Sequence, residues 1–249
     1  MSAKDTNIYI YGRNPIQEAL LEKPRQIEKI FVRNSLRDSR VSAIFDLASQ
    51  NRIPVSHVPG SRLYELVGKV NDQGIVALLS AVQYQEFNEW IDSVDVQQYP
   101  GVLLLDEIED PHNVGAILRT AAAAGIDAVL VPKHRQAPIN ATVYKTSAGT
   151  AGKIPIVRTG NLNQAIMQLK DKGFWIAGLD MDADRELWEL EVDRPLAFII
   201  GNEGSGIRQK TLEHCDYRIS IPMLNGVESL NASVSAALIS YEWRRKKGK

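Results

Sequence analysis

Five short runs in the second half of the chain, GVLLLD (101–106), AVLVP (128–132), FWIAGLD (174–180), PLAFIIG (195–201) and YRISIP (217–222), are dominated by apolar residues. Strands of this kind need cover on both faces, and the segments between them carry helical patterns. Together they predict a mainly parallel sheet with helices on both sides. Ligands of such sheets bind at the carboxyl ends of the strands, so chemistry is expected in the residues that follow each run.

The first third of the chain is built on a smaller scale. NIYIY, IEKIFV, IPVSHV and GIVALLSAV read as strands, with NPIQEALLEK and VSAIFDLASQ as helices among them. Asn14 and Pro15 suit the N-cap and first position of the earlier helix. These segments make a small α/β domain over residues 1–82. QYQEFNEWIDSVDVQQYP (83–100) is polar, acidic and ends in proline, and reads as a linker to a second domain over 101–249.

With 44% hydrophobic and 24% charged residues the chain falls among globular proteins, and its length suffices to bury a core. No apolar run approaches the ~20 residues of a membrane helix, and the opening MSAKDTN lacks the apolar stretch of a signal peptide. The single cysteine, Cys215, excludes an internal disulfide and a cysteine-based zinc site, and four scattered histidines show no metal-ligand spacing. A cytoplasmic protein with neither a membrane nor a metal as partner is expected. Net charge is −1, yet the final six residues, RRKKGK, hold five of the 29 basic side chains. The remainder carries 24 basic against 30 acidic groups, a net of −6. Such an end suits either RNA phosphates or the C-terminal dipole of a helix.

Three stretches lie at strand ends. In DPHNVGAILRTAAAAG (110–125), Asp110 and Pro111 open a helix, which places Asn113 in its first turn and Arg119 about two turns in. The neighbours of Arg119 on that helix, Gly115, Ala116, Ala122 and Ala123, are all small, leaving room for another backbone, whether an RNA strand or an adjacent helix. His112 is a candidate base by its titration range and otherwise a solvent-facing side chain. FIIGNEGSGI (198–207) sets Gly201, Gly204 and Gly206 around Asn202, Glu203 and Ser205. It lacks the Lys-Ser or Lys-Thr of a phosphate loop and the G-x-G-x-x-G spacing of dinucleotide sites. Its glycines permit close backbone approach and positive φ, and Glu203 either orients polar groups there or caps the next helix. IPMLNGVESLNASVSAAL (221–238) turns at Asn225-Gly226 and enters a helix near Ser229. Ser229 also suits the cap of that helix and Ile221 the core, whereas the amide of Asn231 needs partners if buried.

In this order and spacing the three stretches resemble the motifs of the SpoU-type (TrmH-type) RNA ribose 2′-O-methyltransferases of the SPOUT superfamily. GRNPIQEAL (12–20) and NDQGIVA (71–77) are similar to segments bordering the ribosomal-protein-L30e-like substrate-binding domain of its longer members, so the resemblance covers nearly the whole chain. It implies methyl transfer from S-adenosylmethionine to a ribose 2′-hydroxyl, a homodimer formed through the catalytic domain, and a trefoil knot there, an exception to the rule of unknotted chains. Residue by residue, it implies that Arg119 activates the hydroxyl and that Asn113, Glu203 and Asn231 belong to the catalytic group. Gly201, Gly204, Ile221 and Leu230 then form the cofactor pocket and Ser229 meets the RNA, while Arg13 is a candidate for RNA phosphate contact by its charge. Arginine stays protonated and is a poor base, so clamping phosphate and ribose is the alternative role for Arg119.

The two-domain architecture resembles that of enzymes modifying a guanosine ribose in large-subunit ribosomal RNA, with Lys29, Arg33, Arg37 and Arg40 as further candidates for phosphate contacts. Asp72, Ala122, Asn225 and the segment TAGKIP (150–155) depart from the family's usual residues, which bears on substrate more than on reaction type. A transfer-RNA substrate, an RNA-binding scaffold without turnover, and a different nucleotide ligand in the glycine loop are the alternatives.

Overall fold

A computed structural model describes residues 8–36, 41–80, 82–183 and 185–247, and Arg37 and Arg40 lie outside them. The chain divides into two compact units. The first takes in residues up to Gln83 together with Pro138–Thr142, and the second Tyr84–Ala137 and the chain from Val143.

In the first unit β1 (Ile8–Tyr11), α1 (Arg13–Glu22), β2 (Ile27–Arg33), α2 (Ser42–Gln50), β3 (Val55–Val58), α3 (Gly60–Val67) and β4 (Ile75–Leu79) follow one another. The sheet order is β1-β4-β2-β3, with β4 antiparallel to both β1 and β2, and β2 parallel to β3. Ile16 and Leu20 of α1 and Ile44 and Ala48 of α2, each pair four residues apart on one helix face, pack with Ile27, Ile30 and Val32 in one core. Helix α1 begins at Arg13 with Gly12 as N-cap, in place of the Asn14 cap expected from sequence. The reason is tertiary: the backbone N–H groups of Gly12 and Arg13 donate to the Ile75 carbonyl and to the Gln73 side chain, both at 3.1 Å. Asp72 is buried, accepts from the Gly74 N–H at 2.7 Å and pairs with Arg33 at 2.8 Å. Of the phosphate-contact candidates, Arg33 is thus already engaged, and Lys29 lies over the Phe31 ring at 5.3 Å.

The second unit runs β5 (Gln85–Glu86), α4 (Phe87–Ser93), β6 (Gly101–Asp106), α5 (Pro111–Ala124), β7 (Ala128–Pro132), α6 (Ala141–Thr146), β8 (Ile156–Thr159), α7 (Leu162–Asp171), β9 (Trp175–Leu179), β10 (Arg185–Glu186), β11 (Leu196–Gly201), α8 (Gln209–Leu212), β12 (Tyr217–Ser220) and α9 (Ala232–Lys247), with α6 starting in the residues grouped with the first unit. Among the described residues eight strands lie in the order β10-β12-β9-β11-β6-β7-β8-β5, and each of their pairings is parallel. β6 and β7 are buried along their whole length, as strands covered on both faces must be.

The segment expected as a linker is instead part of this unit. β5 pairs with β8, and Phe87, Trp90 and Ile91 of α4 enter the core beside Val102, Leu130 and Val157. Its polar residues, spaced between those apolar ones, face outward and mask an amphipathic pattern. Helix α9 closes the unit by packing against α5 and β11. Its Trp243 is fully buried, and a Cβ on Gly101 would collide with that indole ring, so β6 has to begin with glycine.

The basic end of α9 is largely spent within the chain. Arg245 grips Glu242 through two bonds of 2.8 and 2.7 Å, Lys246 donates to the Trp188 carbonyl at 2.7 Å, and Lys247 lies 3.9 Å from Asp127. The Arg245 fork holds the Glu242 carboxyl below the usual carboxylate range. Among the described helices none is long and apolar enough to cross a membrane.

Candidate active site

Strands β9, β11 and β12 end at one cleft of about 740 Å³. They deliver Leu179 with Asp180, Ile200 with Gly201, and Ser220 with Ile221 to its wall. After Gly201 the chain folds back so closely that a Cβ there would collide with the backbone of Gly206 and Ile207. Asn202 and Gly206 exchange backbone hydrogen bonds of 3.0 and 2.8 Å, and Asn202 Oδ1 accepts from the Gly204 N–H at 2.9 Å. Of the three glycines only Gly206 needs a positive φ, at 65°; Gly201 serves close approach. Gly204, Ser229 and Leu230 line the same cleft. Among the described residues its charged lining is Asp180, Glu203 and Glu228, with no lysine, arginine or histidine. A cavity lined by one sign of charge favours a ligand of the other.

Beside this cleft three residues distant in sequence meet. Asn113 is 7% exposed, and its Nδ2 donates to Glu203 Oε1. Asn231 Nδ2 donates to Asn113 Oδ1 at 3.0 Å and to Glu203 Oε1 at 3.2 Å. Each group reaches the meeting point for a local reason. Asp110 accepts from the His112 N–H at 2.8 Å and caps α5 with Pro111 in its first turn, which sets Asn113. The folded-back glycine loop presents Glu203. Asn231 caps α9: its Oδ1 accepts from the Ser233 N–H at 2.9 Å, and its carbonyl from the Ser235 N–H at 3.0 Å. The helix therefore starts at Ala232 and not near Ser229, which sits exposed in the preceding loop. Glu203 does not cap α8, whose N-cap Arg208 makes no side-chain cap bond.

Arg119 stands apart. It is exposed, and among the described residues its side chain has no hydrogen-bond or ion-pair partner. It does not line the cleft. Six residues beyond Asn113, it sits ~9 Å along α5 and ~240° around the helix axis from it. Part of the small-residue face expected around it is filled by the chain's own helix α6, since a Cβ on Gly115 would lie 2.7 Å from Thr146 Cβ. His112 is exposed and adds only its backbone N–H to the Asp110 cap. Arg13 lies in the first unit, partly buried at the start of α1. Cys215 is packed under Gly178, and burial pushes its thiol up to about 12, far from nucleophilic service at neutral pH.

Sequence reasoning missed Asp106, whose side chain is fully buried, and its partner Arg208, 2.6 Å away. The signal was present: Asp106 is the one charged residue in the otherwise apolar run GVLLLD, and a buried charge must find a partner.

A parallel α/β unit with an acid-lined cleft at the ends of three strands is the frame in which open α/β sheets hold their ligands, and here it shares a chain with a second α/β unit. Comparison with known proteins narrows it. The SpoU rRNA Methylase family matches residues 100–241, and the RNA 2′-O ribose methyltransferase substrate binding family matches residues 9–85. A Staphylococcus epidermidis protein named for the TrmH family of tRNA/rRNA methyltransferases is 38% identical, over 97% of this chain and 96% of its own. Among solved structures, the AdoMet-bound rRNA methyltransferase from Sinorhizobium meliloti superposes with TM-score 0.62 at 19% identity, covering 96% of this chain and 87% of that one. The A. aeolicus TrmH/SpoU tRNA modifying enzyme has TM-score 0.56 at 25% identity, covering 65% of this chain and 82% of that one. The chain belongs to the SpoU rRNA methylase family, and it is an RNA methyltransferase.

Proposed function

We propose that this methyltransferase transfers the methyl group of S-adenosylmethionine to a ribose 2′-hydroxyl, that its substrate is a guanosine of large-subunit ribosomal RNA, and that it works as a cytoplasmic homodimer. The observation that carries the reading is the convergence of Asn113, Glu203 and Asn231 beside a cleft whose charged lining, among the described residues, is wholly acidic.

The cleft fits the cofactor. Its volume is within the ~300–1,000 Å³ usual for small-molecule sites, and its carboxylates complement a ligand carrying a sulfonium and an ammonium group. When bound, the cofactor supplies an electrophilic methyl group on positive sulfur. Gly201 and Gly204 let the backbone come close to a flat adenosine, while Ile221 and Leu230 supply apolar walls. The two asparagine amides hold the Glu203 carboxylate in one orientation, so that it faces the reacting groups without having to reorganise. As the ribose oxygen bonds to the methyl carbon, the carbon–sulfur bond breaks with its electron pair left on sulfur as a neutral thioether, and the hydroxyl proton passes to water. Arg119 stabilises the developing charge on that oxygen and grips the adjacent phosphate, a role that a permanently charged, forked side chain can fill. Ser229 and Arg13 contact the RNA.

Arg119 faces away from Asn113 on its own helix, which supports a second copy of the chain completing the site. The neighbouring α9 exposes Val234 (46%) and Tyr241 (53%) seven residues apart, with half-buried Leu238 between them, an apolar stripe suited to a helix of another protomer. The passage of the chain from β11 past β9 to β12, and then back over α5 as α9, supports the knot that the resemblance implies. The ribosomal substrate is supported by architecture: the tRNA-modifying neighbour covers only about two thirds of the chain, whereas the S. meliloti rRNA enzyme spans both units.

The test is methyl transfer by the purified protein to ribosomal and transfer RNA, with ribose methylation mapped in cells that have or lack the gene. One lost 2′-O-methyl mark in large-subunit RNA is expected. A lost mark in transfer RNA overturns the substrate, binding of S-adenosylhomocysteine without transfer favours a scaffold, and no binding favours a different ligand.

A further inference from the structure

We propose that Asp106 and Arg208 form a positioning clamp that sets the shape of the glycine loop and thereby the affinity for cofactor, an inference that rests on the S-adenosylmethionine reading above. Asp106 ends β6 in register with Gly201, the last residue of β11. Its side chain is 0% exposed. Arg208, just beyond the loop, reaches back to it twice. The Arg208 backbone N–H donates to Asp106 Oδ2 at 3.1 Å, and Nη2 lies 2.6 Å from Oδ1. The other arm of the guanidinium, Nη1, lies 3.1 Å from Glu107 Oε1, which Arg135 also approaches at 3.3 Å.

The near end of the loop is tied to the same place. Asn202 Nδ2 donates to the Glu107 carbonyl at 2.9 Å. Glu107 holds φ at 63°, a conformation that a non-glycine residue keeps only when its surroundings over-determine it. Both ends of the segment 202–208 are therefore fastened to residues 106 and 107, and Glu203, Gly204 and Gly206, which line the cleft, are suspended between the two ties. Residues 106 and 107 also begin the connection to α5, so one clamp governs where Glu203 stands relative to Asn113.

Neither Asp106 nor Arg208 lines the cleft, so both act through the loop and are positioning residues. A planar fork of five donors can serve two carboxylates together, whereas an ammonium serves as a single point charge. A lysine at position 208 keeps the charge and loses the bridge.

The experiment compares wild type, Arg208→Lys and the paired variant Asp106→Asn/Arg208→Gln, which removes the buried charge together with its partner so that folding survives. Binding of S-adenosylhomocysteine is read by calorimetry, with KM for S-adenosylmethionine, kcat on RNA at saturating cofactor, and Tm. Both variants are expected to keep Tm near that of wild type and to raise Kd and KM for cofactor about tenfold, with kcat within about twofold. Unchanged cofactor constants in both variants, or a loss confined to kcat or Tm, overturns the proposal. If wild type itself fails to bind S-adenosylhomocysteine, the cofactor reading falls and takes this inference with it; if wild type binds and the variants bind equally well, the clamp alone is refuted.

Discussion

Asn113 and Arg119 sit six residues apart on one helix and in opposite surroundings. Asn113 is buried, bonded to Glu203 and Asn231, and fixed by tertiary contacts at every polar atom of its amide that the site uses. Arg119 is exposed and unpartnered among the described residues. The difference separates two kinds of functional residue. Groups that shape a site satisfy one another before substrate arrives, since an unpaired buried amide costs roughly 1–3 kcal/mol. A group whose partner is the substrate has to stay open until the substrate comes.

Four substitutions break or sharpen this contrast, taken from the largest effect to the smallest. Arg119→Ala is expected to lower methyl transfer by about 10³-fold while Tm and S-adenosylhomocysteine affinity stay at wild-type values; retained activity would remove Arg119 from the mechanism. Asn113→Ala is expected to act on both counts, lowering kcat by about 10²-fold and stability by about 1–3 kcal/mol in denaturant unfolding, because Glu203 and Asn231 each lose a partner. An unchanged stability would mean that the cluster is not held together in solution. Gly115→Ala tests the small-residue face, since the added methyl meets Thr146 at 2.7 Å; a loss of about 1–3 kcal/mol is expected from overpacking. No loss would mean that α6 yields and that face is open to another backbone. Asp110→Ala removes the cap that sets Asn113 and is expected to cost about 1 kcal/mol, with a smaller fall in kcat than Asn113→Ala.

Much of the architecture was legible because it is local. Alternating apolar runs announced the strands of both units, and each long one is present. The two-residue strands β5 and β10 escaped notice because so short a run carries too little pattern to be read, and β8 because its run, Ile156–Thr159, holds only two apolar residues. The supposed linker failed for a related reason: Phe87, Trp90 and Ile91 are core residues spaced on one helix face, and the acidic residues between them dominated the composition. At the site, the Asp110-Pro111 start of α5 was readable from capping chemistry. The caps of α1 and α9 were not, because Gly12 is secured by the Ile75 strand and Asn231 caps its helix while its amide nitrogen turns to Glu203.

The longer strands, the cap of α5 and the residue types available for chemistry were set by the sequence alone, since periodicity and capping act over a few residues. Only the tertiary structure decided which of those residues meet. Asn113 and Asn231 are 118 positions apart, and Asp106 and Arg208 are 102 apart. The order of parallel strands brings such pairs together, and a buried charge or amide is stable only where that order supplies its partner.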